Sequence, residues 1–509
     1  MTTGGIFGED TWKIKPNLTL NYGLRWDDFG NPYPSLAGTN LSNFYLARGF
    51  QPTFDESVAA GVMRKVKNVF LGSIKNVWSP RFGVAWDPAH NGNWVLRGGF
   101  GIYHDFPTLG NDENGLNANP PGYIIPTFFS NGSTSPPIFA FGTSNKYPFG
   151  FPYPALGSTT LTPQGGLAGV QAGVGGIDPL LVAPTTFNYA VTLEHKLFKS
   201  LVGSVGYSGS NSYNLITGYG QTGNTSYGVD INRYAGDLIQ HNSTSPTRLN
   251  SSFGAINYAE NAAEARYDAF VAEVKGRFSR RAYFDLSYTR SRALDDTEVY
   301  PTFQHLSQYY SPSPWDAPNR ISLLWNYDLP GVNSGRGLFG HVLSGWSISG
   351  TTILQSGNPF TVFTDAAFQP VFGPNGVITG LKPGSGDFNA DGFNLDYPDA
   401  ASYSMGSSRQ AYLNGVFSPG QFTQPALGSE GSERVNRFRN PNFAEVDAAL
   451  LKDTKLYERL DLQLRFEVYN VLNRVNLQGI DADLPDGNFG RATSQYNPRN
   501  LQVGAKIVF

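Results

Sequence analysis

Apolar and polar residues alternate with a period of two along most of this chain, from "NLTLNYGLRWDDF" near its start to "RNLQVGAKIVF" at its end. In the first stretch Leu18, Leu20, Tyr22, Leu24 and Trp26 share one side, while Asn17, Thr19, Asn21, Gly23 and Arg25 share the other. Successive side chains of a strand point to opposite faces, so this pattern predicts strands with one apolar and one polar face. The unit recurs in pairs. "IFGEDTWKI" meets the first stretch across "KPN", and "RFGVAWD" meets "NWVLRGGFGIYHDF" across "PAHNG". "TFNYAVTLEHKL" joins "SLVGSVGYSGSNSY" across Phe198 and Lys199, and "YDAFVAEVKGRF" joins "RAYFDLSYTRSRALDD" across Ser279 and Arg280. "NRISLLWNYDL" and "LSGWSISGTTILQ" are linked through "PGVNSGRGLFGHV", and "NFAEVDAALLKD" reaches "RLDLQLRFEVYNVL" across "TKLYE". The terminal stretch completes thirteen predicted strands.

Most of these strands run to roughly 9–14 residues, longer than the usual five or six and long enough for a tilted strand to cross a bilayer. Their connections alternate. After each short turn comes a long segment, at 30–78, 107–184, 214–265, 296–316, 356–442 and 472–498, rich in Gly, Pro, Asn, Ser and aromatics. Compact soluble domains seldom carry several loops beyond about 15 residues, but short turns on one rim and long loops on the other describe an outer-membrane barrel. In "RLDLQLRFEVYN" the row Leu460, Leu462, Leu464, Phe466 and Val468 would face lipid, opposite Asp461, Gln463, Arg465, Glu467 and Tyr469. A soluble β-sandwich also has a polar outer face, but its strands would be shorter and its loops would not sort by length. The fold class expected is therefore all-β, an antiparallel transmembrane β-barrel.

Composition narrows the classes without changing that picture. Charged residues make up 15% and aromatics 14% of 509 residues, with 59 Gly and 34 Pro, a low charge content for a soluble protein. The formal net charge of -3 carries no basic field toward nucleic acid. There is no cysteine, which excludes disulfides, Cys-ligated zinc and Cys nucleophiles. No apolar run reaches the ~18 residues of a spanning helix, and "MTTGGIFGEDTWKI" has neither the basic nor the apolar region of a signal peptide.

The tryptophans give an independent expectation. Trp12, Trp86, Trp94, Trp325 and Trp346 fall near short-turn ends of predicted strands, and Trp26, Trp78 and Trp315 near long-loop ends. Indole rings favour the membrane–water boundary, so the eight should form two aromatic girdles; tryptophan also closes hairpins in soluble sheets. If the long loops face outside, the last strand runs inward and so does the first. Bacterial single-chain barrels have an even strand number, so thirteen strands leave two readings: another strand count, or the back part of a longer barrel, which would not be a complete pore alone.

Several stretches resemble the TonB-dependent outer-membrane receptors, in particular the Oar-like group. They are "EDTWKIKPNLTLNYGLRWDDF", "SPRFGVAWDP", "VLRGGFGIYHD", "YDAFVAEVKGRFSRRAYFDLSYTRSRALDD", "GWSISGTTILQSGNPFTV", "RFRNPNFAEVDAALLKDTKLYERLDLQLRFEVYNVLN" and "NPRNLQVGAKIVF". The resemblance implies a 22-stranded barrel, of which these would be strands ten to twenty-two, within one N-terminally incomplete barrel domain over 1–509. It also implies a plug domain and a TonB box, neither of which is seen, so partnership with the TonB system is expected only if both exist upstream. The last strand is similar to the signal by which the outer-membrane assembly machinery recognises its clients, with Leu501, Val503, Ala505 and Ile507 expected on the lipid side and Phe509 at the periplasmic boundary.

One loop carries a metal signal. In "GDFNADGFNLDYPDA", Asp387, Asn389 and Asp391 followed by Gly392 match the opening of a calcium loop, and the Phe393 carbonyl can add a ligand. The twelfth position is Pro398, so Asp396 or Asp399 would have to substitute across 387–399; an Asx-rich surface turn is the other reading. Enzyme readings find little. The six histidines are scattered, "GGFGIYHD" lacks the third glycine of a dinucleotide fingerprint, and no G-x-S-x-G or P-loop occurs. The basic turn "RFSRR" reads as solvated charge. Aromatic loop stretches such as "AFGTSNKYPFGFPYP" could bind sugars or peptides by stacking, or pack on one another. The function expected is ligand capture by external loops and uptake across the outer membrane, without covalent chemistry. The alternatives are a passive structural or adhesion barrel and a soluble secreted carbohydrate-binding β-protein. Outer-membrane lipid is the partner expected in either barrel reading.

Overall fold

All thirteen predicted strands form, and they lie side by side in chain order. They are β1 (Gly4–Lys15), β2 (Leu18–Asp28), β3 (Val77–Trp86), β4 (Trp94–His104), β5 (Thr185–Phe198), β6 (Leu201–Thr217) and β7 (Ile256–Arg277). The second half comprises β8 (Ala282–Asp295), β9 (Asn319–Asp328), β10 (Trp346–Gln355), β11 (Phe443–Tyr457), β12 (Leu460–Tyr469) and β13 (Asn500–Val508). Each pairs antiparallel with its sequence neighbours, forming one continuous meander. The computed structural model describes residues 2–509 except 32–40, 48, 50–52, 73, 107–118, 121–160, 169–170, 199, 218–230, 233–247, 298–308, 332–337, 365–367, 373–377, 384–395, 427–430 and 458–459. Within the described residues β1 and β13 pair with no strand on their outer sides, so the barrel is not closed.

The register carries the sequence pattern across the sheet. From β12 to β13, Val468 stands opposite Leu501, Phe466 opposite Val503, Leu464 opposite Ala505 and Leu462 opposite Ile507. Directly opposed residues share a face, so the apolar row of one strand continues the apolar row of the next. A slip of one residue would exchange the two faces. Followed through β10, β9 and β8, the same face collects Ile348, Leu354, Leu323, Ile321, Leu286 and Phe284. Glycine is accommodated where an aromatic ring needs room: Gly350 stands opposite Trp325, and a β-carbon there would lie 2.6 Å from the indole.

The short turns are tied to their neighbours. Ser200 Oγ donates to the Arg277 carbonyl at 2.7 Å and the Arg277 amide donates back to the Ser200 carbonyl at 3.0 Å, joining two adjacent hairpins. Gly345, which opens β10, has φ +76 and lies so close to the Asp453 backbone that a side chain would collide with it. Beside it the Lys452 ammonium donates to the Ser344 and Asp453 carbonyls at 2.5 and 3.1 Å.

The buried apolar residues lie mostly in the long connections and the loop ends of the strands. Phe44, Val58, Met63, Val174, Ile231, Phe253, Ile256 and Tyr258 form one cluster, drawn from the segments after β2, β4 and β6 and the loop end of β7. A second, Val362, Phe422 and Phe438 with Phe360, Phe417 and Phe489 against it, joins the segments after β10 and β12. Two strands run further than the alternation suggested. β6 continues to Thr217 and β7 begins at Ile256, so the 214–265 connection is shorter than expected. The added stretch "INYAENAAEA" lacks a clean alternation, and the pairing shifts register at Asn261 and Ala263. Its first residues instead pair in parallel with Val174–Ile177.

Candidate functional site

The face opposite the apolar rows is polar on every strand. On β1 to β4 it presents Glu9, Thr11, Asn21, Arg25, Arg81, Arg97 and Tyr103. Ion pairs run along and across it: Arg25 to Asp27 at 2.6 Å, Arg97 to Glu194 at 2.9 Å and Lys275 to Glu273 at 2.8 Å. Half-exposed pairs of this kind contribute little stability each; their effect is to keep the face wettable.

A depression of about 920 Å³ opens on this face between β1 and β7. Gly23, Gly83, Gly99 and Gly101 form much of its floor, with Gly83 directly opposite Gly99. Missing side chains leave backbone groups accessible there, and long neighbours fold over the gap. The Arg81 guanidinium lies 4.7 Å from the centroid of the Tyr103 ring. Thr11 Oγ1 donates to Asn21 Oδ1 at 2.8 Å. Tyr267 and Asn188 complete the wall. The combination offers hydrogen bonds, a cation and ring faces, and so can seat a polar surface or a planar ligand without covalent chemistry. The register sets Gly99 of "GGFGIYHD" against Gly83 and Gly101 against Arg81, with Gly23 one strand further on opposite Arg81.

Above the long-loop rim, buried asparagines join the connections. Asn43 donates to the Ile177 carbonyl and accepts from its amide, both at 2.8 Å. Asn119 does the same with Gly175 and also donates to the Ser42 carbonyl at 2.6 Å. Asn232 accepts from the Asn250 amide at 2.6 Å and donates to the Gly254 carbonyl at 2.7 Å, while Asn250 donates to the Val58 and Gly61 carbonyls at 3.0 Å. A carboxamide has the same donor and acceptor as a peptide group, so each acts as a one-residue strand pairing between segments distant in sequence. In the second loop group, Arg439 binds the Asp316 carboxylate at 2.5 Å and the Asp316 and Gly357 carbonyls at 3.1 and 3.2 Å. Asp316 Oδ1 in turn accepts from the Ala293 amide at the end of β8.

Buried acids punctuate this region. Burial pushes Glu260 up to about 7, helped by the nearby Asp178 charge. Burial likewise raises Asp296 to about 6, against the opposing hydrogen bond from the Glu264 amide, and raises Glu433.

The residues singled out from sequence fall as follows. Trp12, Trp26, Trp78, Trp86, Trp94, Trp325 and Trp346 all lie on the apolar face, a coherence that sequence alone could not establish across hairpins. Trp26 and Trp78 are direct cross-strand partners at the loop end, with centroids 6.3 Å apart. Trp94 stacks on His195 at 3.8 Å beside a short turn. Trp315 sits in the connection before β9 and is 82% exposed. Leu501, Val503, Ala505 and Ile507 share the apolar face of β13, and Phe509 follows it, 97% exposed. Asp387, Asn389, Asp391 and Phe393 lie outside the described residues. Asp396 is buried, and its carbonyl accepts from the Thr364 amide at 2.9 Å. Among the described residues no group of three or more His, Asp or Glu is arranged to hold a metal.

Known structures resemble this sheet at low identity. The ferripyoverdine receptor of the Pseudomonas aeruginosa outer membrane is 11% identical, with a TM-score of 0.40, over 99% of this chain and 38% of the receptor. The outer membrane transporter YddB from Escherichia coli gives 11% identity and a TM-score of 0.46 over 99% of this chain and 54% of its own. The ferric-catecholate import receptor Fiu from Escherichia coli K12 gives 11% and 0.42 over 99% and 44%. The chain thus spans about two-fifths to a little over half of these proteins. A search of curated proteins finds no match. The outer membrane beta barrel domain family matches residues 1–502. With its thirteen-strand meander, apolar outer face and polar inner face, the chain belongs to that family and to the outer membrane.

Proposed function

We propose that this chain is the C-terminal part of the barrel of a TonB-dependent receptor, Oar-like in its long loops, which captures a ligand outside the cell and lines the path for its uptake. The observation that carries this reading is the pairing of a polar, glycine-floored inner wall with loops packed into cores of their own above it. A passive barrel needs neither a shaped inner depression nor buried polar ties between its loops. The seven strand tryptophans would form the two aromatic girdles, and β13 would be the strand read by the assembly machinery. Calcium binding by the 387–399 loop belongs to the same reading, as a means of fixing an external loop.

The test is genetic and biochemical together. The gene product is isolated from native outer membranes and mixed with the periplasmic domain of TonB. Co-purification, with a plug and TonB box encoded in the same reading frame, supports energised transport. Failure to bind, with no such segment encoded, would replace this reading by the structural or adhesion barrel. Isothermal titration of the chain with CaCl₂ examines the loop separately; heat that disappears in Asp387→Asn/Asp391→Asn supports it, and no heat rejects it.

A further inference from the structure

The outward face of the sheet is mostly apolar: Asp10 on β1, which accepts from the Tyr22 hydroxyl, and Lys452 beside a short turn interrupt it singly, and among the described residues charges gather on it near the loop ends of β7 and β8. Arg266 and Asp268 on β7, with Arg290 and Arg292 on β8, follow the same parity as Phe270, Val274 and Leu286. Arg292 stands opposite Asp268, and Arg290 opposite Phe270. Their height can be read from the strands. Eight residues separate Trp86 from Trp78 on β3, and eight separate Phe284, the partner of Trp325, from Arg292 on β8. Arg292 therefore lies level with the upper tryptophans, with Arg266 one step above and Arg290 one step below. In barrels of this family the long-loop rim is the external one, so this height is the headgroup layer of the outer leaflet.

Asp268 is already engaged. Its Oδ1 accepts from the Tyr189 and Tyr207 hydroxyls at 2.9 and 2.5 Å, and its Oδ2 accepts from Arg266 Nε at 2.6 Å. Arg290 donates at 3.0 Å to Oδ1 of Asn319, a neutral oxygen it shares with the Tyr288 hydroxyl at 2.9 Å. Among the described residues no carboxylate pairs with Arg290 or Arg292. The exposed Glu264 lies on this side one step further from the membrane than Arg266 and leaves the excess positive. Guanidinium groups at the edge of lipid need an anion, and a phosphate matches their planar fork. Tyrosine rings on β5, β6 and β8, either side of β7, supply the flat apolar flank against which acyl chains pack.

We propose that Arg266, Arg290 and Arg292, framed by Tyr189, Tyr207 and Tyr288, form a docking site on the outer barrel wall for the phosphate of an outer-leaflet lipid. The inference rests on the outer-membrane placement and is independent of whether the chain transports anything. The full chain, extracted in detergent, is equilibrated with equal amounts of phosphatidic acid and phosphatidylcholine, and retained lipid is counted by native mass spectrometry. Retention of phosphatidic acid about tenfold over phosphatidylcholine is expected. Arg290→Gln/Arg292→Gln should abolish that preference, Arg290→Lys/Arg292→Lys should keep most of it, and the loop control Lys65→Gln should leave it unchanged. Should the double Gln variant fail to assemble, Arg292→Gln alone should lower the preference severalfold. Equal retention of both lipids, or a preference that survives the Gln substitutions, overturns the proposal. Displacement of the lipid by millimolar inorganic phosphate would also overturn it, by marking a site for free anions.

Discussion

At Asn250, one carboxamide holds together two connections that lie about 190 residues apart, donating to Val58 and Gly61. Asn250→Ala removes both of these donated hydrogen bonds while leaving the strands untouched. A buried carbonyl left without its partner costs about 1–3 kcal/mol, so hydrogen exchange in 41–66 and 249–258 should accelerate by at least tenfold while β9 to β13 stay protected. Unchanged exchange in the loops would show that the tie is redundant. Nothing in the sequence marks this residue: Asn among Ser and Gly reads as a turn former, and its role depends on a partner far along the chain. The buried acids give a second expectation. A carboxyl raised in the folded state keeps its proton there longer than in the unfolded chain, so its contribution is most favourable below the unfolded value and falls as pH rises through the folded one. For Glu260 that window runs from about 4.5 to about 7, and for Asp296 from 3.8 to about 6. Loop protection, corrected for intrinsic exchange, should therefore be greater at pH 5 than at pH 8, and Glu260→Gln should flatten the difference.

Strands were the most legible elements because a single physical requirement, one face to lipid and one to water, is written every second residue. Leu462, Leu464, Phe466 and Val468 announce their face without help from any other strand. The inner half of β7 was legible for the same reason, but its loop half was not. There the chain pairs with Val174–Ile177 and packs into a loop core, so neither side faces lipid and alternation has no cause. The long loops were legible only as loops, since their cores are assembled from several segments. β13 allows the face assignment to be tested directly. Val503→Arg places a charge on the lipid side and should destabilise the membrane-inserted sheet by about 2–4 kcal/mol. Gln502→Arg, one residue away on the polar face, should change stability by less than about 0.5 kcal/mol. Urea unfolding in lipid vesicles measures both, and equal effects would contradict the assignment.

At the scale of the whole molecule, parity decides what the sheet can do. Thirteen strands alternating in direction leave β1 and β13 running the same way, so these two edges cannot close on each other with antiparallel pairing. Two copies joined edge to like edge would restore antiparallel pairing only with one copy inverted across the membrane, placing its long loops on the wrong side. Closure in the orientation of its family therefore calls for an odd number of further strands, from this polypeptide or another. Unsatisfied strand edges are costly in hydrocarbon, where no water is present to take the free amides and carbonyls. The thirteen-strand sheet on its own should thus give no uniform single-channel step in planar bilayers, and should be recovered from detergent as heterogeneous oligomers. Supplying an odd number of complementary strands as a second polypeptide should convert it to a heat-modifiable species of one size. A stable, reproducible conductance from the chain alone would show that the edges find another way to close, and would remove the strongest argument that this sheet is one part of a larger wall.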